Sequence, residues 1–254
     1  MLQSELGEGS GNMSSSLPFG TRRHPGEAHT GELGGKLNWL RAGVLGANDG
    51  LVSTAGIVVG VAGATSTLST ILTAGIAGLV AGSLSMAGGE YVSVSTQRDT
   101  EAAALERERR ELATMPEAEL DELTQIYEER GLSEHLARQV ATELTEKNAL
   151  RAHAETELQI DPDVLTSAWQ AAGASFLAFA VGGVIPTIAI LAPIEDWRVI
   201  ICVAAVIVGL VVTGYASARL GHARPGPAVV RNVSVGILTM AITYFVGRIT
   251  GGIV

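Results

Sequence analysis

Five stretches of this chain are apolar for long enough to cross a lipid bilayer as helices. They run from about Leu40 to Ala64, Thr70 to Thr96, Leu165 to Ala192, Val199 to Ala218 and Ala228 to Ile249. A bilayer core takes roughly 20 helical residues, and inside it only helices and closed barrels satisfy their own backbone. The stretches therefore predict an all-α membrane protein. Composition agrees: a mean hydropathy of +0.32 with 31 Gly and 4% aromatic residues suits helices that approach closely in lipid. Small residues recur four apart at Gly56/Gly60, Gly78/Gly82 and Gly247/Gly251, as close crossings require. The single Cys, Cys202, lies in an apolar run, which excludes a disulfide framework or a Cys-based zinc site within one chain.

Orientation follows from Lys and Arg in the short flanks. Arg22, Arg23, Lys36 and Arg41 precede the first span, Arg98, Arg107, Arg109 and Arg110 follow the second, and Arg219, Arg224 and Arg231 lie between the fourth and fifth. The opposite side has only Arg198 and Arg248. The N-terminus and the interval 98–163 are thus expected in the cytoplasm and the C-terminus outside. Residues 1–35 show no periodicity and read as a disordered tail without the apolar core of a cleaved signal peptide, so the first span should remain as an anchor. The expected units are this tail, spans one and two over 36–97, a polar domain over 98–163, and spans three to five over 164–254.

The interval 98–163 carries eighteen acidic and eight basic side chains, a local charge of −10 against −9 for the whole chain, so the rest is near neutral. Such clustering points to cations as partners and away from nucleic acid. Its pattern reads as three helices: "TEAAALERERRELATM", "PEAELDELTQIYEERG" and "LSEHLARQVATELTEKNALRAHAETELQI". Pro116 suits the first turn of the second, Gly131 its end, and Ser133 the cap of the third. Nothing separates the second span from the first acidic helix, so the two are expected to run as one.

Two spans carry groups that lipid does not favour. Asp49 lies 15 residues before Ala64 and Met86 lies 16 after Thr70. At 1.5 Å per residue both sit roughly 22–24 Å from the outer boundary, so on consecutive antiparallel helices they are expected to face each other. Glu90 sits one turn below Met86, near the cytoplasmic surface. An intramembrane carboxylate usually lines a polar path or meets a partner. Asp49 could instead cap a broken helix or pair with Arg41, Met86 could be ordinary packing, and Glu90 could be an interfacial acid.

In the acidic interval, Glu108 and Glu111 are three apart, as are Glu119 and Glu122, so each pair shares a helix face. A break near Met115–Pro116 could fold the pairs together, and four converging carboxylates repel unless cations bind between them. On the third helix Glu143, Glu146, His153 and Glu157 form one stripe, with His153 and Glu157 at a ligand-compatible spacing of four. Oxygen-rich sites with one imidazole suit Fe2+, Mn2+ or Zn2+. The alternative is a solvated charged face paired with Arg107, Arg109 and Arg110.

The run "RAGVLGANDGLVSTAGIVVGVAGA" followed by "AGLVAGSLSMAGGEYVSVSTQRDTE" is similar to the paired first and second spans of the vacuolar iron transporter family. The resemblance covers about residues 36–254. It implies a homodimer of five-span subunits, each with a three-helix cytoplasmic acidic domain between spans two and three. It also implies export of ferrous iron and related ions (Mn2+, Zn2+, Co2+) from the cytoplasm by proton antiport, with no prosthetic group. Matched by motif, the intramembrane Asp and Met of the family's path fall on Asp49 and Met86. Its cytoplasmic Glu quartet falls on Glu108, Glu111, Glu119 and Glu122, and a further Glu falls on Glu157. His153 stands where plant-like members have Met, and Gly78 where some have a deeper acid. Glu90 would pass metal from the quartet to the path. With no organelle-targeting segment, a bacterial plasma membrane is the expected location.

Two other functional classes fit the residues less well. A membrane-anchored di-iron carboxylate oxidase wants Glu-x-x-His on two helices, and "EHLA" and "HAETE" supply only fragments. An acidic interaction module for a basic protein leaves Asp49 and Met86 unexplained.

Overall fold

The computed structural model describes residues 30–161 and 167–253, with side chains from residue 43 onward. Among the described residues seven α-helices follow one another: α1 (Thr30–Ala64), α2 (Leu68–Thr114), α3 (Pro116–Glu129), α4 (Glu134–Thr156), α5 (Ala168–Ala189), α6 (Arg198–Leu220) and α7 (Pro225–Gly251). A single 3-10 turn, Glu195–Trp197, leads into α6. No strand occurs among the described residues. Five helices, α1, α2, α5, α6 and α7, are long and apolar enough to cross a membrane.

Most of the expected tail lies outside the described residues. Its last part does not: α1 begins at Thr30, so residues 30–35 are helical rather than irregular. Once a helix is nucleated by an apolar span, each added residue gains a hydrogen bond, and propagation runs past the apolar boundary. The expected start of the third span at Leu165 also lies outside the described residues. Helix α5 starts at Ala168, where the Ser167 hydroxyl accepts from the Gln170 N–H at 3.4 Å.

Helix α1 is the hub of the apolar bundle and touches α2, α5, α6 and α7. Leu51, Ala55, Val58 and Val59 of α1 form the core with Ile71, Ile190, Cys202, Val206, Leu210 and Met240. Two crossings depend on glycine. A Cβ on Gly50 would strike the Phe179 carbonyl of α5, and one on Gly247 of α7 would strike the Gly60 carbonyl of α1. The small-residue spacing at Gly60 and Gly247 thus serves a crossing inside one chain. Outward, α5, α6 and α7 expose Leu177, Val181, Val208, Phe245 and Ile249, an apolar surface that only lipid or another apolar surface covers well.

Helix α2 is continuous over 47 residues. At 1.5 Å per residue it is about 70 Å long, more than twice the roughly 30 Å hydrocarbon core. Its acidic second half must therefore stand clear of the bilayer. There it meets α3 and α4, whose shared core is small: Leu123, Ala141 and Ala152, flanked by Leu120, Tyr127 and Leu144. Polar contacts supplement it. Arg130 donates to the Thr156 carbonyl at 2.7 Å, the Tyr127 and Thr156 hydroxyls are 3.3 Å apart, and Arg138 pairs with Asp121.

Helix α4 is not the single straight rod its sequence suggests. Asn148 takes extended backbone angles, φ −168° and ψ 94°, inside it. Its Oδ1 accepts the Arg151 N–H at 3.1 Å, as an N-cap side chain does. A short second segment carrying His153 therefore starts afresh at Asn148. Ser133 occupies the cap position of α4 but makes no side-chain cap bond.

Candidate metal centre

Three helices bring three ligating side chains together. Glu108 comes from the extended part of α2, Glu119 from α3, and His153 from the segment after the Asn148 kink. One ligand atom from each lies within 4.8 Å of the others, and all three residues are buried. The break at Met115 ends α2 with its N–H on the Glu111 carbonyl, and Pro116 opens α3 in the first turn, where its missing N–H costs nothing. That sharp turn lays the α3 acids beside those of α2.

His153 Nδ1 is 2.9 Å from Glu108 Oε1, 3.4 Å from Glu157 Oε2 and 3.8 Å from Glu119 Oε2. The contact to Glu157 is a hydrogen bond. The shorter approach to Glu108 is not aligned as one, and Glu108 Oε1 is left buried without a hydrogen-bond partner, as is His153 Nε2. A buried, unpartnered carboxylate oxygen is costly. Here it points into a cluster of donors.

Beside the cluster opens a cavity of about 460 Å3 lined by Glu108, Glu111, Glu119, Glu122 and Glu157, with Arg107 and Met115 also on its wall. Burial, the largest effect, pushes the Glu108 carboxyl up to about 7. His153 opposes the rise, and Glu157, Glu119 and Glu111 add to it. Glu119 is likewise raised, by burial and then by the adjacent Glu122. Oxygen atoms that resist ionisation in the absence of a cation, converging on one imidazole nitrogen, form a donor set suited to a divalent 3d ion.

The stripe expected on α4 does not hold together. Glu143 and Glu146 are exposed and line a different groove with His135, Arg138 and Gln139. The kink at Asn148 breaks the helical phase between them and His153. Met115 was not anticipated at the cavity. Its position at the break between the two Glu pairs is the signal that would have found it.

The membrane residues stand apart from this cluster. Asp49 is half-buried on α1, and the Ser53 hydroxyl donates to its Oδ1 at 2.6 Å. Because α1 runs unbroken through it, Asp49 does not cap a broken helix. The side chain of Arg41, its other suggested partner, lies outside the described residues. Met86 is half-buried on α2. Phe179 fixes the relative depth of the two. Its carbonyl lies against Gly50, beside Asp49, and its ring lies against Gly82, one turn before Met86. Glu90 is half-buried, and its neighbour Tyr91 packs on Trp169 with ring centroids 4.7 Å apart. Such aromatic pairs are typical of the membrane–water boundary.

Residues 40–248 match the VIT family. The chain is 42% identical over 223 residues to a vacuolar iron transporter of Acanthamoeba castellanii, covering 87% of this chain and 82% of that protein. It is 37% identical over 231 residues to vacuolar iron transporter homolog 1 of Oryza sativa subsp. japonica, covering 90% and 81%. It is 33% identical over 227 residues to vacuolar iron transporter homolog 2 of Arabidopsis thaliana, covering 89% and 91%. With a family match across nearly all of the apolar bundle and the acidic unit, and relatives this similar along most of their length, the chain belongs to the VIT family.

Proposed function

We propose that this chain carries ferrous iron, and related divalent ions, out of the cytoplasm across a membrane in exchange for protons. The observation that carries the reading is the convergence of Glu119 and His153 on Glu108, which stands on a helix continuous with a membrane span. A collecting site and a crossing path then share one rigid element. The relatives' names, which call them iron transporters or their homologues, support iron as the cargo.

In this reading the unit built from the end of α2, α3 and α4 lies in the cytoplasm, on the side where Arg98, Arg107, Arg109 and Arg110 sit. Glu108, Glu119 and His153 take the ion, while Glu111, Glu122 and Glu157 on the cavity wall hold its approach path at negative potential. Glu90, at the aromatic boundary, receives the ion from this cavity. Asp49 and Met86, level with one another along α1 and α2, ligate it inside the membrane. A proton arriving at Asp49 from the outer side releases the metal. The path is completed by a second copy of the chain in a homodimer.

Proteoliposomes containing the full chain test the reading. Fe2+ uptake is expected for the wild type and is expected to fall at least tenfold for Glu108→Gln at subsaturating metal. Absence of any divalent-metal movement by the wild type overturns it. The oxidase alternative is disfavoured by the single imidazole in the cluster, since a dinuclear carboxylate centre of that class draws a His from each of two helices.

A further inference from the structure

Resting on the transport reading above, we propose that His153 sets the order in which this chain accepts divalent ions. Its Nδ1 acts as a ligand and makes the site prefer Zn2+ and Co2+ to Mn2+, with Fe2+ between.

The ring is fully buried and cannot swing away to leave an all-oxygen site. It is held at the end of the segment restarted by Asn148, and Nδ1 faces inward, 2.9 Å from Glu108 Oε1 and 3.8 Å from Glu119 Oε2. These separations suit atoms that share one ion, since ligands at roughly 2.0–2.2 Å from a metal lie about 3–3.5 Å apart, within a small adjustment. Glu108 Oε1 has no hydrogen-bond partner, so metal entry breaks no hydrogen bond there and displaces only a proton. The one bond that Nδ1 would give up is its 3.4 Å contact with Glu157 Oε2, and that freed oxygen is placed to become a fourth ligand.

The resulting set is one imidazole nitrogen and three carboxylate oxygens. Four donors of this kind suit the tetrahedral preference of Zn2+. Affinity rises from Mn2+ through Fe2+ to Co2+ at nitrogen and oxygen sites alike, and an imidazole in place of a carboxylate oxygen steepens that rise, since Mn2+ is best served by oxygen ligands. The competing possibility is that His153 serves only as a hydrogen-bond partner holding the acids together. The metal would then see oxygen alone, the order would be shallower, and replacing the ring would leave the Zn2+ to Mn2+ ratio unchanged.

The test uses the full-length chain in detergent micelles, titrated with Mn2+, Co2+ and Zn2+ in competition with a fluorescent chelator. His153→Gln and His153→Glu are measured beside the wild type. The wild type is expected to bind Zn2+ at least about a hundredfold more tightly than Mn2+. That ratio is expected to fall at least about tenfold in both variants, with His153→Glu retaining Mn2+ binding. Electron spin-echo envelope modulation of Mn2+ bound to the wild type reads the same point without any variant, and a directly coordinated nitrogen is expected. A Zn2+ to Mn2+ ratio unchanged in both variants, or bound Mn2+ without nitrogen coupling, overturns the proposal while leaving transport intact. A wild type that binds these ions with the stated order but moves none of them in proteoliposomes overturns the transport reading and leaves this one standing.

Discussion

His153 Nδ1 and Glu108 Oε1 lie 2.9 Å apart on different helices, buried together at a point where nothing hydrogen-bonds the carboxylate oxygen. The pair joins the end of α4 to the extension of a membrane-spanning helix. A fold that spends burial on such a contact gains little stability from it, because burying charged groups costs more than their attraction commonly returns. The arrangement is best understood as prepared for a cation.

If so, Glu108→Gln should weaken metal binding much more than it weakens the fold. One lost charge-assisted ligand is worth about 1.5–3 kcal/mol, or roughly ten- to a hundredfold in Kd. The metal-free protein should melt no lower than the wild type, because a buried carboxyl has been replaced by a neutral group of the same shape. Equilibrium dialysis with Zn2+ and a thermal melt in detergent check the two halves separately.

The pH dependence has a definite sign. Burial raises Glu108 from 4.5 to about 7, so the folded metal-free protein holds a proton there that the unfolded chain releases. Between about pH 4.5 and 7 the native state binds more protons, and stability contributed by this group falls as pH rises through that window. Metal competes with the same proton, so affinity should climb over the same range and level off above about 7. Measured at pH 5, 6, 7 and 8, the metal-free melting temperature should fall with rising pH while Zn2+ affinity rises, so that Kd falls as well. Flat Zn2+ affinity from pH 5 to 8 would remove Glu108 from the ligand set.

Asn148 offers a positional test. Its side chain caps the segment that carries His153. Losing a cap of this kind costs about 0.5–2 kcal/mol, and Asn148→Ala should therefore lower metal affinity severalfold. Asn148→Asp or Asn148→Ser, which can also accept the Arg151 N–H, should restore it. Isothermal titration with Zn2+ on the three variants distinguishes capping from a loss of side-chain bulk.

Much of this arrangement was legible in the sequence. Five apolar runs, the uninterrupted passage from the second run into "TEAAALERERRELATM" and the Pro116 signal predicted α2 and α3 to within a few residues. The three-residue spacing of Glu108/Glu111 and Glu119/Glu122 placed each pair on one face, and both pairs line one cavity. The kink at Asn148 was not legible. An Asn in the middle of a charged helical run reads as a weak helix former, and only its extended backbone and its bond to the Arg151 N–H show that it caps a new segment. That missed kink is why Glu143 and Glu146 were assigned to the His153 face. The start of α1 was missed for another reason, since helix propagation beyond an apolar boundary leaves no mark in hydropathy. The Gly60–Gly247 crossing was half visible: the spacing announced a close contact but not which helix would supply it.

Those crossings make a prediction of their own. Gly247→Val should prevent α7 from seating on α1, because its side chain would collide with the Gly60 backbone. Gly88→Val, where a Cβ would meet nothing within 4 Å, should be tolerated. Size-exclusion profiles of the two variants in detergent should show loss of a monodisperse peak for the first alone.

In the transport we propose, an ion gathered outside the bilayer passes along α1 and α2 by way of Asp49 in exchange for protons. The most direct test is metal-driven proton flux in proteoliposomes, with a pH-sensitive dye recording the response to an Fe2+ pulse for the wild type and for Asp49→Ala. A proton signal is expected to follow Fe2+ in the wild type and to be lost in Asp49→Ala, while Asp49→Ala still binds metal at the Glu108, Glu119 and His153 cluster. Proton flux of wild-type size in Asp49→Ala would contradict that exchange.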